Sequence, residues 1–146
     1  MEEINGIAEP IQAMNFRITD DELGQGTPKE KFRANIMAIQ LLKKCEEENR
    51  NATPDEQEIL SRYVGWGGLA DAFDETKSAW ETEYLELKTV LTPEEYAAAR
   101  ASTLNAHYTQ PIVIESMYQA LENLGFTKGN ILEPSMGVGN FFGMLP

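Results

Sequence analysis

Apolar residues recur along the first two thirds of the chain with the period of helices that bury one face. Phe32, Ile36, Ile39 and Leu42 fall on one stripe of a helix that ends in the polar run Glu46 to Asn51. A short second helix is expected from Pro54 to about Val64, stopped by Gly65-Trp-Gly-Gly68. From about Lys77 to Val90, Trp80, Tyr84, Leu87 and Leu91 are spaced four, three and four apart, again one helical face. An alanine-rich helix, Pro93 to about Ala101, should pack closely. Three of these helices share a start signal: Thr27-Pro-Lys-Glu30, Thr53-Pro-Asp-Glu56 and Thr92-Pro-Glu-Glu95. Threonine and glutamate can each satisfy an orphan amide, and proline at the first helical position wastes no hydrogen bond. The unequal spacings mean reused capping chemistry and not a solenoid.

Before residue 27 the pattern lapses. Gly6, Pro10, Asp20, Asp21, Gly24 and Gly26 punctuate a tail with Ile11, Met14, Phe16 and Ile18 as possible anchors, the pair Phe16 and Ile18 foremost. After about residue 103 the pattern changes. Asn105 to Pro111 reads as extended or turning, because the residue before proline avoids the helical region. Ile114, Met117, Tyr118 and Leu121 mark an amphipathic helix ending near Gly125, a natural C-cap. A turn over Phe126 to Asn130 then leads into an expected strand, Asn130 to Glu133. The chain thus divides into a tail (1–26), a helical domain (27–104) and a different unit (105–146). The fold class expected is mainly α, with one or two short strands at most. An isolated strand leaves amides and carbonyls unpaired. Residues from about 134 onward are therefore expected to be disordered or held by a neighbouring chain, with strand-mediated self-association one outcome.

Composition narrows the classes. The 146 residues are 42% hydrophobic and 25% charged, ordinary for a globular protein. No apolar run approaches the roughly 18 residues that span a bilayer, and Met1-Glu-Glu-Ile-Asn lacks the opening of a secretory signal. No membrane partner is expected. Cys45, the single cysteine, can form neither an internal disulfide nor a zinc site, which favours a reducing, cytoplasmic setting and a buried structural thiol. No metal site is expected. A net charge of −12 and a pI near 4.5 oppose a grip on a phosphate backbone, which rests on Lys and Arg.

The chemistry concentrates near residue 137. Gly137 and Gly139, one residue apart after the expected strand, would let backbone pass close to a ligand. An ATP-binding Walker loop is excluded, because Met144 follows Gly143 where lysine is required. A dinucleotide fingerprint fails too: Gly137, Gly139 and Gly143 are one position too long.

What remains, Glu133-Pro-Ser-Met-Gly-Val-Gly-Asn-Phe141, resembles the cofactor motif of S-adenosylmethionine-dependent N6-adenine DNA methyltransferases. His107-Tyr-Thr-Gln-Pro111, with Ile112 and Val113, resembles the motif that precedes it in those enzymes. Arg62-Tyr-Val-Gly-Trp-Gly-Gly-Leu69 and its helical surroundings resemble large methylase–helicase polypeptides of plasmids and conjugative elements. The methylase resemblance covers residues 105 to 146; the mobile-element resemblance covers most of the chain.

The resemblance implies a helical domain followed by the first helix and strand of a Rossmann-like methyltransferase domain that stops after the glycine loop. It implies that Tyr108, Thr109 and Pro111 line the methionine side of S-adenosylmethionine. Glu133, beside Pro134, would approach the cofactor's α-amino group. Gly137 and Gly139 would give close backbone passage, and Phe141 would pack beneath the loop. The sequence has no Asn/Asp-Pro-Pro-Tyr/Phe motif, which in that family holds a flipped adenine, so this chain alone should transfer no methyl group and carries no catalytic residue. It is expected to be the N-terminal part of such an enzyme, binding cofactor weakly or not at all alone. The rest of the parent polypeptide would be its partner and would supply the DNA contacts. The alternative is a non-catalytic helical interaction module of a conjugation or antirestriction protein with a degenerate methylase-like region. Plainer readings stand beside these: His107 as turn packing, Tyr108 as cover for a helix start, Trp66 as a core plug, Trp80 and Tyr84 as core, and Glu46 to Glu48 as a solvated helix end.

Overall fold

A computed structural model describes residues 16–20, 22–106 and 108–146. The expectations for Gly6, Pro10, Ile11, Met14, Asp21 and His107 lie outside the described residues. Among the described residues six α-helices follow in order: α1 (Pro28–Glu47), α2 (Pro54–Ser61), α3 (Glu81–Val90), α4 (Pro93–Ser102), α5 (Pro111–Asn123) and the single turn α6 (Asn140–Gly143). Short 3-10 turns at Ala70–Phe73 and Ser78–Trp80 lie between α2 and α3.

All three capping boxes form, at Thr27, Thr53 and Thr92. In each, the threonine side chain accepts from the amide three residues on, and that residue's glutamate accepts from the threonine amide at 2.7 to 2.9 Å. The segment expected as helix from Lys77 starts instead at Glu81, after the 3-10 turn that carries Trp80. Helix α2 ends at Ser61, because the chain must turn into the left-handed Gly65.

The core is built by α1, α3, α4 and the loop after α2. Phe32, Ile36, Trp66, Leu69, Phe73, Leu87 and Leu91 are its large members, with Ala72 and Ala99 filling between them. Trp66 is the hub: it meets Phe32 edge-on at 6.1 Å and Phe73 at 5.3 Å. Such edge contacts add about 0.5–1.5 kcal/mol each beyond area burial. Trp66 is thus a core plug. Ile39 and Trp80 pack partly against this cluster, whereas Leu42, at the far end of the α1 stripe, is 48% exposed. Tyr84 stands at the edge, its hydroxyl 3.4 Å from Glu75. Cys45 is a buried free thiol.

A buried amide joins α1 to the glycine loop. Asn35 donates from Nδ2 to the Gly65 carbonyl at 2.6 Å and accepts the Val64 amide at Oδ1, 2.8 Å.

The Rossmann-like part of the expected fold is overturned: there is no strand among the described residues. Asn130 to Glu133 runs as irregular backbone, with Ile131 43% and Leu132 87% exposed. A strand is defined by the ladder it shares with a neighbour, and among the described residues no such ladder forms. The strand edge that self-association would use is likewise not formed among those residues. The mainly α class stands. No helix among the described residues is long and apolar enough to cross a membrane.

Candidate functional site

The tyrosine-threonine turn and the glycine loop, with Tyr108 and Glu133 25 residues apart in sequence, meet at Tyr108. Its ring lies between two glycines in left-handed conformation, Gly65 (φ 69°) after α2 and Gly137 (φ 56°) before α6. A Cβ on Gly137 would come within 3.1 Å of the ring, and one on Gly65 would overlap the phenol oxygen. Glycine supplies both the backbone angle and the space. Gly67, in the same loop, faces the Ala106 carbonyl closely enough that a Cβ would collide with it. The Gly65-Trp-Gly-Gly68 loop therefore does two jobs: Trp66 enters the core and the glycines receive Tyr108 and Ala106.

Around Tyr108 opens a cavity of about 370 Å3, lined by Thr109, Met136, Gly137 and Phe141 among others. That is within the size range of small-ligand sites. Of the residues expected to bind cofactor, Tyr108, Thr109, Gly137 and Phe141 come together on this wall. Pro111 opens α5 and lines an adjoining cavity that Tyr108 also borders. Gly139 (φ 85°) serves as the N-cap of α6 and faces a separate cavity beside Phe16 and Ile18. Glu133 and Pro134 do not line the Tyr108 cavity. The Glu133 carboxylate instead accepts the Ser135 amide at 2.8 Å, closing a local turn.

Two contacts hold the glycine loop. The Tyr118 hydroxyl donates to the Phe141 carbonyl at 2.6 Å, and the Ile18 amide donates to the Gly143 carbonyl at 2.8 Å. The second makes residues 16–18 a strap across α6. Tyr118 was legible only as a helix-face residue; its contact spans 23 residues, and no local pattern announces it. Burial pushes the phenols of Tyr63, Tyr108 and Tyr118 above their ordinary range. For Tyr63 the neighbouring Tyr108 adds to the effect, and for Tyr118 the Glu133 carboxylate does. All three therefore stay neutral at pH 7 and act as hydrogen-bonding groups.

No group of His, Cys, Asp and Glu among the described residues could hold a metal ion. Comparison with protein-family models, with curated proteins and with solved structures finds no match to this chain.

Proposed function

We propose that this chain belongs to a cytoplasmic S-adenosylmethionine-dependent adenine-N6 DNA methyltransferase and supplies one wall of its cofactor site. The observation that carries this reading is the packing of Tyr108 on Gly137, which joins the tyrosine-threonine turn and the glycine loop around one cavity. The support is the site and its motifs, not a sheet topology. Tyr108 presents a neutral aromatic face, the electron-rich surface that favours a sulfonium cation. Methyl transfer itself needs an amide-bearing motif that this sequence does not contain, so the remainder of the parent polypeptide provides it, with the DNA contacts.

Ultraviolet irradiation of the chain with methyl-tritiated S-adenosylmethionine at millimolar concentration tests the reading. Label should enter the peptides bearing Tyr108 or Phe141, and Tyr108→Ala should lose it. Label no stronger than in a heat-denatured control would refute cofactor binding here.

A second reading, a non-catalytic interaction module, is favoured by one specific observation. Helix α5 and its C-cap Leu124 expose Val113, Met117, Leu121 and Leu124, at 41% to 83%, along one stripe. In that case Met117→Glu would abolish partner capture, and Tyr108→Ala would leave it intact.

A further inference from the structure

The cleft does not end at the Tyr108 ring. A second cavity of about 220 Å3 adjoins the first, and Ala106, Tyr108, Thr109, Val138 and Asn140 line both. The opposite wall of this second cavity comes from the helical unit, where Lys31 on α1 and Tyr63 after α2 face it. Lys31 is partly buried. Among the described residues its ammonium has no carboxylate partner, whereas Lys29, Lys43 and Lys77 are paired with Glu83, Glu95 and Asp71. The adjacent acid, Glu30, is spent in the helix cap, its carboxylate on the Thr27 amide and hydroxyl at 2.7 and 2.8 Å. The two tyrosines are neutral at pH 7 and bring no competing anion. The cavity thus offers one cation and phenol walls to whatever enters from the Tyr108 side.

We propose that this second cavity receives the amino-acid end of the ligand, with Lys31 pairing its carboxylate. The inference rests on the cofactor reading above and adds to it a residue of the helical unit, outside both recognised motifs. The ligand body lies against Tyr108 and Gly137, and its carboxylate passes Thr109 to reach Lys31. A single ammonium suits a monoanion; a phosphate dianion is more often met by an arginine fork or several donors. The helical unit is then part of the binding site, and Lys31 is its specificity-determining residue.

The test uses the intact 146-residue chain, 15N-labelled, titrated by NMR with S-adenosylhomocysteine and with decarboxylated S-adenosylhomocysteine, which lacks only the carboxylate. Both should shift the Gly137 and Phe141 amides. The carboxylate-bearing ligand should bind about tenfold more tightly, the scale of one charge-assisted hydrogen bond in a partly open site. Lys31→Gln should remove that preference without changing the affinity for the decarboxylated ligand, and Lys31→Arg should retain it. Unshifted core amides in each variant, Leu87 for instance, verify the fold. Equal affinity of the two ligands for the wild-type chain, with Gly137 still shifting, would overturn the role of Lys31 and leave the cofactor reading standing. No shift at Gly137 or Phe141 with either ligand would overturn both.

Discussion

At the residue scale, single atoms decide how the two motifs meet. Gly65 and Gly68 both adopt positive φ, 69° and 74°, but only Gly65 has Tyr108 against it; Gly68 faces open space. Alanine at Gly68 therefore costs backbone strain alone, about 1 kcal/mol. Alanine at Gly65 adds a collision with the Tyr108 hydroxyl and should cost about 2–4 kcal/mol by the overpacking scale. Urea denaturation of the two variants measures the difference. Tyr108→Phe should recover part of the Gly65→Ala loss, because it removes the colliding oxygen; equal losses at the two glycines would mean that Tyr108 is not held there. Asn35 is a sharper case. It is fully buried and satisfies one carbonyl and one amide of the glycine loop, so Asn35→Leu strands both and should cost about 2–5 kcal/mol. The same denaturation series reads it. A polar residue inside an apolar stripe gave no hint of this in the sequence, because its partners lie 29 and 30 residues away.

At the element scale, the starts of the three capped helices were legible and helix company was not. The Thr-Pro-x-Glu boxes are complete within four residues, so the sequence alone determines them, and all three form. The expected strand at Asn130 to Glu133 depends on a neighbour that local pattern cannot supply, and it does not form among the described residues. The boxes also carry a pH dependence. The Glu56 carboxyl is held at about 2, below its ordinary 4.5, first by Arg50 and then by the Thr53 amide. Arg50 reaches it with two nitrogens, at 2.6 and 2.7 Å. The carboxyls of Glu30 and Glu95 are lowered in the same way, Glu30 by the Thr27 amide and Glu95 by Lys43 and then Thr92. A depressed carboxyl stabilises the fold above its unfolded value, and that contribution fades as pH falls through the folded value. Stability should thus hold from neutrality to about pH 5 and decline toward pH 2 as Glu56 takes up its proton. Glu56→Gln should flatten that decline while lowering stability at pH 7. Thermal melts across pH 2 to 7 decide it, and parallel curves for the two proteins would show that Glu56 carries none of the effect.

At the scale of the whole molecule, burial is unevenly shared. The core cluster lies within residues 32 to 99, whereas the stretch from Pro111 to Gly137 buries one side chain fully, Ile114. Helix α5 sets Ile114 and Tyr118 against the body and leaves Val113, Met117, Leu121 and Leu124 outside, with Leu132 beyond them at 87% exposure. The sequence read α5 as an amphipathic helix from Ile114, Met117, Tyr118 and Leu121: the stripe is real, and only half of it is covered. Two consequences can be measured together. Amides with few buried contacts open at low free energy, so α5 should exchange hydrogen well ahead of α1 and α3, whose amides sit over Phe32, Ile36 and Leu87. The bare stripe should also bind a hydrophobic dye, since a contiguous apolar patch on a folded monomer seldom exceeds a few hundred Å2. Replacing Met117 and Leu121 by lysine should lower dye fluorescence and leave the melting temperature within about 3 °C, because exposed side chains contribute little to folding. The net charge of −12 makes lysine the better choice, as it reduces self-repulsion while removing the patch. A large drop in melting temperature would instead mean that these two side chains are buried in solution, and that the apolar stripe of α5 is covered.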